Sequence, residues 1–249
     1  MEMTEEERDR YGRQLLIPGW GDEAQAKLGA ATVFILGAGG LGSPVGLYLA
    51  AAGVGRLIIA DRDRVALSNL NRQILHSLDR IGTLKAVSAA ATLSALNPHV
   101  RVDPVTEDVT DANVDALTAG ASVLVDCLDN FASRYVLNAC AIRKKIPLVH
   151  GAVQGFEGRV TVIDPGKTPC LRCLFPSGPE PGVFPIVGAT PGVIGAIQAT
   201  EVLKLLTGLG KPLRGDLLLY DGAAGSFRHL TLAFDPACPD CAPLQRNRR

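Results

Sequence analysis

Short β-branched apolar runs alternate with helix-length segments along the first half of the chain. ATVFILG (31–37) is apolar at nearly every position and then meets glycines, the pattern of a buried strand entering a tight turn. Residues 41–53 predict a helix closed by Gly53, with Pro44 tolerated because it falls in the first turn. RLIIAD (56–61) predicts a second strand, and Ala-rich TLKAVSAAATLSALNP (83–98) a helix stopped by Asn97-Pro98. The alternation continues with VRVDPVT (100–106) as strand, DANVDALTAG (111–120) as short helix and SVLVDCLDN (122–130) as strand. FASRYVLNACAIRKK (131–145) follows as helix and IPLVHGAV (146–153) as a fifth strand. Strands separated by crossover-length helices imply an α/β fold, a doubly wound, mostly parallel Rossmann-like sheet covered on both faces.

The second half breaks this rhythm. EGRVTVIDPG (157–166) reads as a strand ending in a Pro-Gly turn, and residues 164–192 hold seven of the chain's 16 prolines, so a long irregular loop is expected there. Helix returns at GVIGAIQATEVLKLLTG (192–208) and strands at 215–222 and 227–234, an antiparallel C-terminal extension. Without an internal repeat or linker, residues 1–249 are expected to form a single domain. It comprises a helical arm (1–30), a βαβ core (31–153) and a C-terminal part (154–249).

The 249 residues are 47% hydrophobic and 20% charged, with a formal net charge of zero. That is enough to bury a substantial core, and there is no basic excess of the kind that marks nucleic-acid or anionic-membrane binding. Aromatics at 5% leave little material for base stacking. MEMTEEERDRYGRQ is acidic and polar, unlike a secretory leader, and no apolar run reaches the roughly 18 residues of a membrane span. A cytoplasmic protein is expected.

Gly37, Gly39 and Gly42 are spaced as G-x-G-x-x-G between a strand and a helix, and Asp61 closes the next strand. Glycines let backbone N–H groups approach phosphate, the helix offers its positive end, and a carboxylate there can accept both ribose hydroxyls. The pattern specifies a nucleotide without choosing between ATP and a dinucleotide. Downstream, Ser68, Asn69, Asn71, Arg72 and Gln73 make poor core material and should line something polar, and Lys85 opens the Ala-rich helix. Arg72 and Lys85 suit a triphosphate and the charge that develops as pyrophosphate leaves. VDCLDN places Asp126, Asp129 and Asn130 at a strand end facing the same crevice. Asp129, past the strand end, is the better candidate to enter the site, and a carboxylate facing phosphates suggests Mg²⁺.

Of six cysteines, four form the pairs Cys170-Leu-Arg-Cys173 and Cys238-Pro-Asp-Cys241 in Pro-rich surroundings. Two such knuckles can close a four-thiolate structural Zn²⁺ site; redox pairs, which more naturally open a helix after a strand, and disulfides are the rivals. Cys127 and Cys140 fall in apolar strand and helix and read as inert core. The histidines form no ligand-spaced pair and no His–carboxylate pairing is evident; His150 reads as structural, and Trp20 as packing.

Taken together, RYGRQLL, GAGGLGSP, AGVGRLIIADRDRV, LSNLNRQ, GTLKA, DCLDN, CLRC and CPDC resemble the bacterial ThiF/MoeB/HesA family of adenylyltransferases, relatives of the ubiquitin-activating enzymes. The resemblance spans nearly the whole chain. It implies ATP and Mg²⁺, adenylation of the C-terminal glycine of a small ubiquitin-like sulfur-carrier protein ending in Gly-Gly, a homodimer, and a structural four-cysteine Zn²⁺. Mapped onto this sequence, Gly37, Gly39, Gly40 and Gly42 would take the phosphates and Asp61 the ribose. Asn69, Arg72, Gln73 and Lys85 would hold phosphates and transition state, with Asp129 on the metal and Asn130 beside it. Arg13 would enter the partner subunit's site, and the C-terminal part would carry the carrier-binding surface and the zinc. One departure is visible: the stretch FPSGPEPGVFPIVGATPGVIG lacks the crossover-loop cysteine of many members. Sulfur would then come through a separate sulfurtransferase or cysteine desulfurase. The competing readings are an NAD- or FAD-dependent oxidoreductase, and an enzyme of the same family acting on a small carboxylate or a modified tRNA base.

Overall fold

The structure is a computed structural model that describes residues 3–178, 182 and 184–242. Two helices, α1 (Glu5–Leu15) and α2 (Gly21–Ala30), precede the first strand, β1 (Thr32–Leu36). Thr4 and Glu7 close a capping box at the start of α1. The core then runs α3 (Gly42–Ala51), β2 (Arg56–Ala60), α4 (Lys85–Leu96), β3 (Arg101–Val105), α5 (Val114–Leu117), β4 (Val123–Asp126), α6 (Phe131–Lys144) and β5 (Leu148–Gln154). The rest is β6 (Glu157–Ile163), α7 (Leu171–Leu174), α8 (Ala189–Thr207), β7 (Asp216–Asp221) and β8 (Ser226–Thr231).

All eight strands form one sheet in the order β3-β2-β1-β4-β5-β6-β7-β8. The first five pair in parallel, and β6, β7 and β8 add antiparallel, as expected for a doubly wound sheet with an antiparallel extension. Alternate strand residues feed two cores. Val33, Ile35, Leu57, Ile59, Val123, Val125 and Val149 pack against α2, α3, α4 and α8. Phe34, Leu36, Ile58, Leu124, Leu148 and Ile163 face α5, α6, α7 and the cysteine knuckles. Because both faces are covered, the central strands are near-continuous apolar runs rather than alternating, with Asp126 of β4 and His150 of β5 the buried exceptions.

Three boundaries differ from the sequence expectation. The helix expected over 111–120 is a single turn at Val114–Leu117, because the Asn113 side chain folds back to accept from Thr110 N–H and closes the preceding turn. The helix expected from residue 192 begins at Ala189; Pro191 sits in its first turn, where a missing N–H costs nothing. CLRC is itself a helical turn, with Cys170 at the N-cap of α7. No helix among the described residues is long and apolar enough to cross a membrane.

Candidate active site

β1 leads through α3 to β2 on one side of the sheet, and its other neighbour β4 leads through α6 to β5 on the other. The C-terminal ends of β1 and β4 therefore flank the point where the winding reverses, the place where open α/β sheets bind ligands. Gly37, at φ 103°, makes the turn out of β1, and a Cβ there would lie 2.6 Å from the Cys127 carbonyl oxygen. A Cβ on Gly42 would lie 2.0 Å from the Gly37 carbonyl oxygen, so both positions need glycine to close the loop. Gly39 is different: its nearest neighbour would be Gln73 Nε2 at 3.5 Å, an ordinary contact. Among the described residues, the N–H groups of Gly39 and Gly40 donate to no protein acceptor. They stand before the first turn of α3, whose N-terminal end favours an anion.

The loop is held from behind. Ala38 N–H donates to Asp61 Oδ2 at 2.8 Å, and Asp63 N–H donates to Asp61 Oδ1 at 2.9 Å. His76 Nε2 lies 2.9 Å from the Ala38 carbonyl oxygen, and its Nδ1 lies 2.9 Å from Ser88 Oγ, so the imidazole donates from Nε2 and accepts at Nδ1. Burial holds the His76 pKa below its ordinary value, against the opposing pull of its bond to Ala38. His76 was not among the expected site residues, because its partner is a backbone carbonyl that no spacing rule reveals.

Gln73 is buried beside Gly39 and its Oε1 has no partner. Arg72 is half-buried next to Gly40, and its Nη1 donates to Ser68 O and Asn71 Oδ1, both at 2.9 Å. Lys85 is buried with its Nζ 3.0 Å from Asp63 Oδ2, two residues beyond Asp61. Pro191, in the first turn of α8, approaches Gly40, so the segment before α8 returns to the same crevice. Asn69 turns inward to accept from Ala66 N–H, and Asn130 caps α6 by accepting from Ser133 N–H; both amides serve local backbone. Asp129 is exposed and its carboxylate makes no bond among the described residues. Arg13 is exposed on α1, and Gln14 beside it donates to the Ala52 carbonyl, at the end of α3 remote from the glycine loop. The structure thus brings together the glycines, Asp61, Gln73, Arg72 and Lys85, sets Asp129 across the switch point, and leaves Arg13 away from its own crevice.

Asp126 does not enter the crevice. It is fully buried, with His150 Nδ1 2.6 Å from its Oδ2 and Arg134 Nε at 3.3 Å. A His–carboxylate pair therefore exists where the sequence showed none, created by the β4–β5 register that sets Asp126 opposite His150. Desolvation pushes the Asp126 carboxyl upward, but the Arg134 guanidinium and the His150 bond outweigh it and hold the pKa below the ordinary range. Desolvation lowers His150, whose imidazole is neutral at pH 7.

The four knuckle cysteines converge on the far side of α6. Their Sγ atoms all lie within 4.8 Å of one another, with separations of 4.0 Å for Cys170–Cys173, 3.5 Å for Cys170–Cys238 and 3.3 Å for Cys173–Cys241. A tetrahedral thiolate site with ~2.3 Å metal–sulfur bonds has sulfurs about 3.8 Å apart, so the cluster has the dimensions to hold a metal ion. Desolvation pushes the Cys170 thiol well up and Cys241 to about 12, whereas Cys238 is lowered, against desolvation, by the backbone N–H groups of Cys241 and Asp240. A cation is what would allow all four to ionise together. Asn138 of α6 ties the knuckles, accepting from Leu171 N–H at 3.0 Å and donating to Asp240 Oδ2 at 2.9 Å. Arg172 reaches the same Asp240 oxygen at 3.0 Å. Cys127 and Cys140 are buried, with thiol pKa values raised chiefly by desolvation, as expected for core residues.

A model of the ThiF family matches residues 11–240. A sulfur carrier protein adenylyltransferase from Thermus thermophilus is 45% identical over 259 aligned positions, covering 99% of this chain and 96% of the relative. A SAMP-activating enzyme E1 from Haloferax volcanii is 47% identical over 239 positions, covering 94% and 88% respectively. Among solved structures, that of E. coli MccB with ATP superposes with a TM-score of 0.82 at 25% identity, covering 93% of this chain and 73% of that one. With its motifs in order from the glycine loop to the second cysteine knuckle, the chain belongs to the ThiF family.

Proposed function

We propose that this protein uses ATP to adenylate the C-terminal glycine carboxylate of a small ubiquitin-like sulfur-carrier protein, releasing pyrophosphate. The observation that carries this is the crevice itself. Among the described residues the Gly39 and Gly40 N–H groups donate to no protein acceptor and the Asp129 carboxylate makes no bond, while Arg72 approaches Gly40 and Lys85 pairs with Asp63, whose N–H is held by Asp61. A hydride-transferring enzyme has no use for that combination of cations and acid beside a pyrophosphate.

In this reading the N–H groups of Gly39 and Gly40 and the start of α3 bind phosphate oxygens, and Asp61 orients the ribose through its remaining lone pairs. Arg72 and Lys85 oppose the charge that builds as the carrier carboxylate attacks the α-phosphate and the bond to pyrophosphate breaks. The nucleophile is already ionised, so the chain needs no general base; its task is positioning and charge stabilisation. Asp129, whose carboxylate makes no bond among the described residues, would hold Mg²⁺, which when bound neutralises phosphate charge. The cysteine cluster would hold Zn²⁺, closed by four thiolates and therefore structural.

The protein would act as a homodimer. Arg13 lies on α1 beside Gln14, which bonds the Ala52 carbonyl just past the end of α3, and that ten-residue helix puts about 15 Å between this point and its own glycine loop, so a second copy would bring Arg13 to a glycine loop. With no cysteine in the segment before α8, the adenylated carrier would pass to a separate sulfurtransferase or cysteine desulfurase, in thiamine, molybdopterin or tRNA-thiolation chemistry. Six free thiols fit the reducing cytoplasm. The test is ATP–pyrophosphate exchange with Gly-Gly-ended carrier proteins. Carrier-dependent exchange that disappears in Arg72→Ala and Asp129→Ala supports the function. No exchange with any carrier, together with sub-micromolar NAD binding, overturns it.

A further inference from the structure

The loop carrying Asp129 is held at several of the backbone groups that precede it, Cys127 N–H among them, which donates to the Leu36 carbonyl at 2.9 Å. Gln198 Nε2 donates to the Asp126 carbonyl at 2.8 Å. Leu128 N–H donates to Asp126 Oδ1 at 3.0 Å, and Arg134 Nη2 donates to the Leu128 carbonyl and, at 3.2 Å, to that of Gly151. Cys127 packs against the positions of Gly37 and Gly42, joining the loop to the phosphate turn. On the other side, Asn130 is fixed as the cap of α6. Among the described residues Asp126, Leu128 and Asn130 therefore each have fixed hydrogen-bond partners, whereas the Asp129 carboxylate between them has none.

The groups that do this are unusual core material. Arg134 and Asp126 are 4% and 0% exposed, and a buried ion pair is weak evidence for stability alone. Leucine or methionine in that space would pack α6 against β4 without the desolvation penalty, but would leave Leu128 N–H and O unheld. The same device occurs across the crevice, where a carboxylate (Asp61) takes the Ala38 N–H and an imidazole (His76) meets the Ala38 carbonyl.

We propose that Arg134 and Asp126 are positioning residues for Asp129: by holding both peptide groups of Leu128 they preset the Asp129 carboxylate for the Mg²⁺–nucleotide before it binds. This rests on the function proposed above. His150 completes the device by donating from Nδ1 to the second Asp126 oxygen, which fixes the carboxylate plane and leaves Oδ1 for Leu128.

The test uses full-length protein and calorimetric binding of a non-hydrolysable ATP analogue with and without Mg²⁺, a readout that does not depend on turnover. Arg134→Lys keeps the charge opposite Asp126 but loses the planar fork that sets Nε beside Asp126 Oδ2 while Nη2 donates to the Leu128 and Gly151 carbonyls. We expect it to melt close to wild type and to weaken the Mg²⁺-dependent tightening about tenfold, the lower end of losses when an outer residue orients a metal ligand. Asp129→Ala should abolish the tightening, and Asp129→Ala/Arg134→Lys should match Asp129→Ala alone, since one residue acts through the other. In unmodified, nucleotide-free protein the Leu128 N–H should be protected from hydrogen exchange to the level of β4. A folded Arg134→Lys with wild-type tightening, further loss in the double variant, or an unprotected Leu128 N–H overturns the positioning role. If Asp129→Ala retains full tightening, the assignment of Asp129 fails instead, which separates the two failures.

Discussion

Two glycine-to-alanine substitutions separate the structural from the binding role of the phosphate turn. In Gly42→Ala the new Cβ would lie 2.0 Å from the carbonyl oxygen and 2.9 Å from the carbonyl carbon of Gly37, both backbone atoms that cannot rotate away. The turn must open by about 1 Å, a displacement that alone can cost about 100-fold when it misplaces binding groups. The overpacking costs about 2 kcal/mol, which at 2–4 °C per kcal/mol for a chain of this size lowers the Tm by about 4–8 °C. In Gly39→Ala the Cβ meets only Gln73 Nε2, at 3.5 Å, and residue 39 does not need a positive φ. The fold should be indifferent, with a Tm within about 2 °C of wild type. Yet the methyl group would stand beside an N–H that faces the crevice, so the KM for ATP should rise at least about tenfold, since a bound phosphate tolerates no side chain at the point of backbone approach. Differential scanning fluorimetry and ATP–pyrophosphate exchange measure the two effects on the same samples. Wild-type ATP dependence in Gly39→Ala would refute the turn as a phosphate cradle. A wild-type Tm in Gly42→Ala would refute the steric closure of Gly42 on Gly37.

Asn138→Ala strips a buried acceptor from Leu171 N–H and one donor from Asp240, at about 1–3 kcal/mol for the orphaned N–H alone, so the Tm should fall by about 2–12 °C and any metal content by mass spectrometry should drop. If the cysteine cluster holds a metal as proposed, chelation should lower the wild-type Tm by more than it lowers that of Cys170→Ser, which lacks one thiolate; equal shifts would show that the four sulfurs do not act as one site. Lys85→Met should reduce kcat for exchange about 100-fold or more while the carrier KM changes little, because in the proposed function the buried ammonium supplies charge to the nucleotide and not to carrier docking. His76 and His150 both have folded pKa values below the ordinary 6.5, so the unfolded chain takes up protons first as pH falls. Their stabilisation is full above about pH 6.5 and is lost as pH falls from there through their folded values. The Tm should therefore drop between pH 7 and 5, and less so in His76→Gln; an identical slope in the variant would contradict the buried neutral imidazole.

Much of this site could be read from the chain because its chemistry is local. The glycine turn, Asp61 and the two C-x-x-C knuckles are each set by a few consecutive residues whose spacing encodes geometry, and the strand–helix alternation orders them in space. CLRC opening a short helix is the feature that, taken alone, would have favoured a redox pair; only the convergence of the second knuckle on it decides otherwise. What escaped the sequence depends on register or on backbone partners. His150 meets Asp126 because β4 and β5 pair at that offset, and His76 meets a carbonyl, so neither leaves a pattern in spacing. One signal was present. An aspartate inside the otherwise apolar run VLVD, in a strand covered on both faces, has to be balanced by a buried cation, and Arg134 is the basic residue of the following helix that faces it.

α6 links the four-cysteine cluster packed beside it to the glycine-loop crevice at the end of the sheet. Along one helix, Asn130 caps the N-terminus beside Asp129, Arg134 holds the Leu128 carbonyl, and Asn138 bonds the backbone of one cysteine knuckle and the acid of the other. The spacing 130, 134, 138 repeats every four residues, so these side chains follow one stripe of the helix. Phe175, just past the first knuckle, adds a second link, with its ring against Phe131 at 5.6 Å and His150 at 6.0 Å. A short loop bearing a metal-binding carboxylate cannot hold its own position; it needs a support that does not yield when the nucleotide binds. Along that stripe the knuckles hold α6 through Asn138 and the buried ion pair holds it through Arg134, and among the described residues the Asp129 carboxylate just before its N-terminus makes no bond.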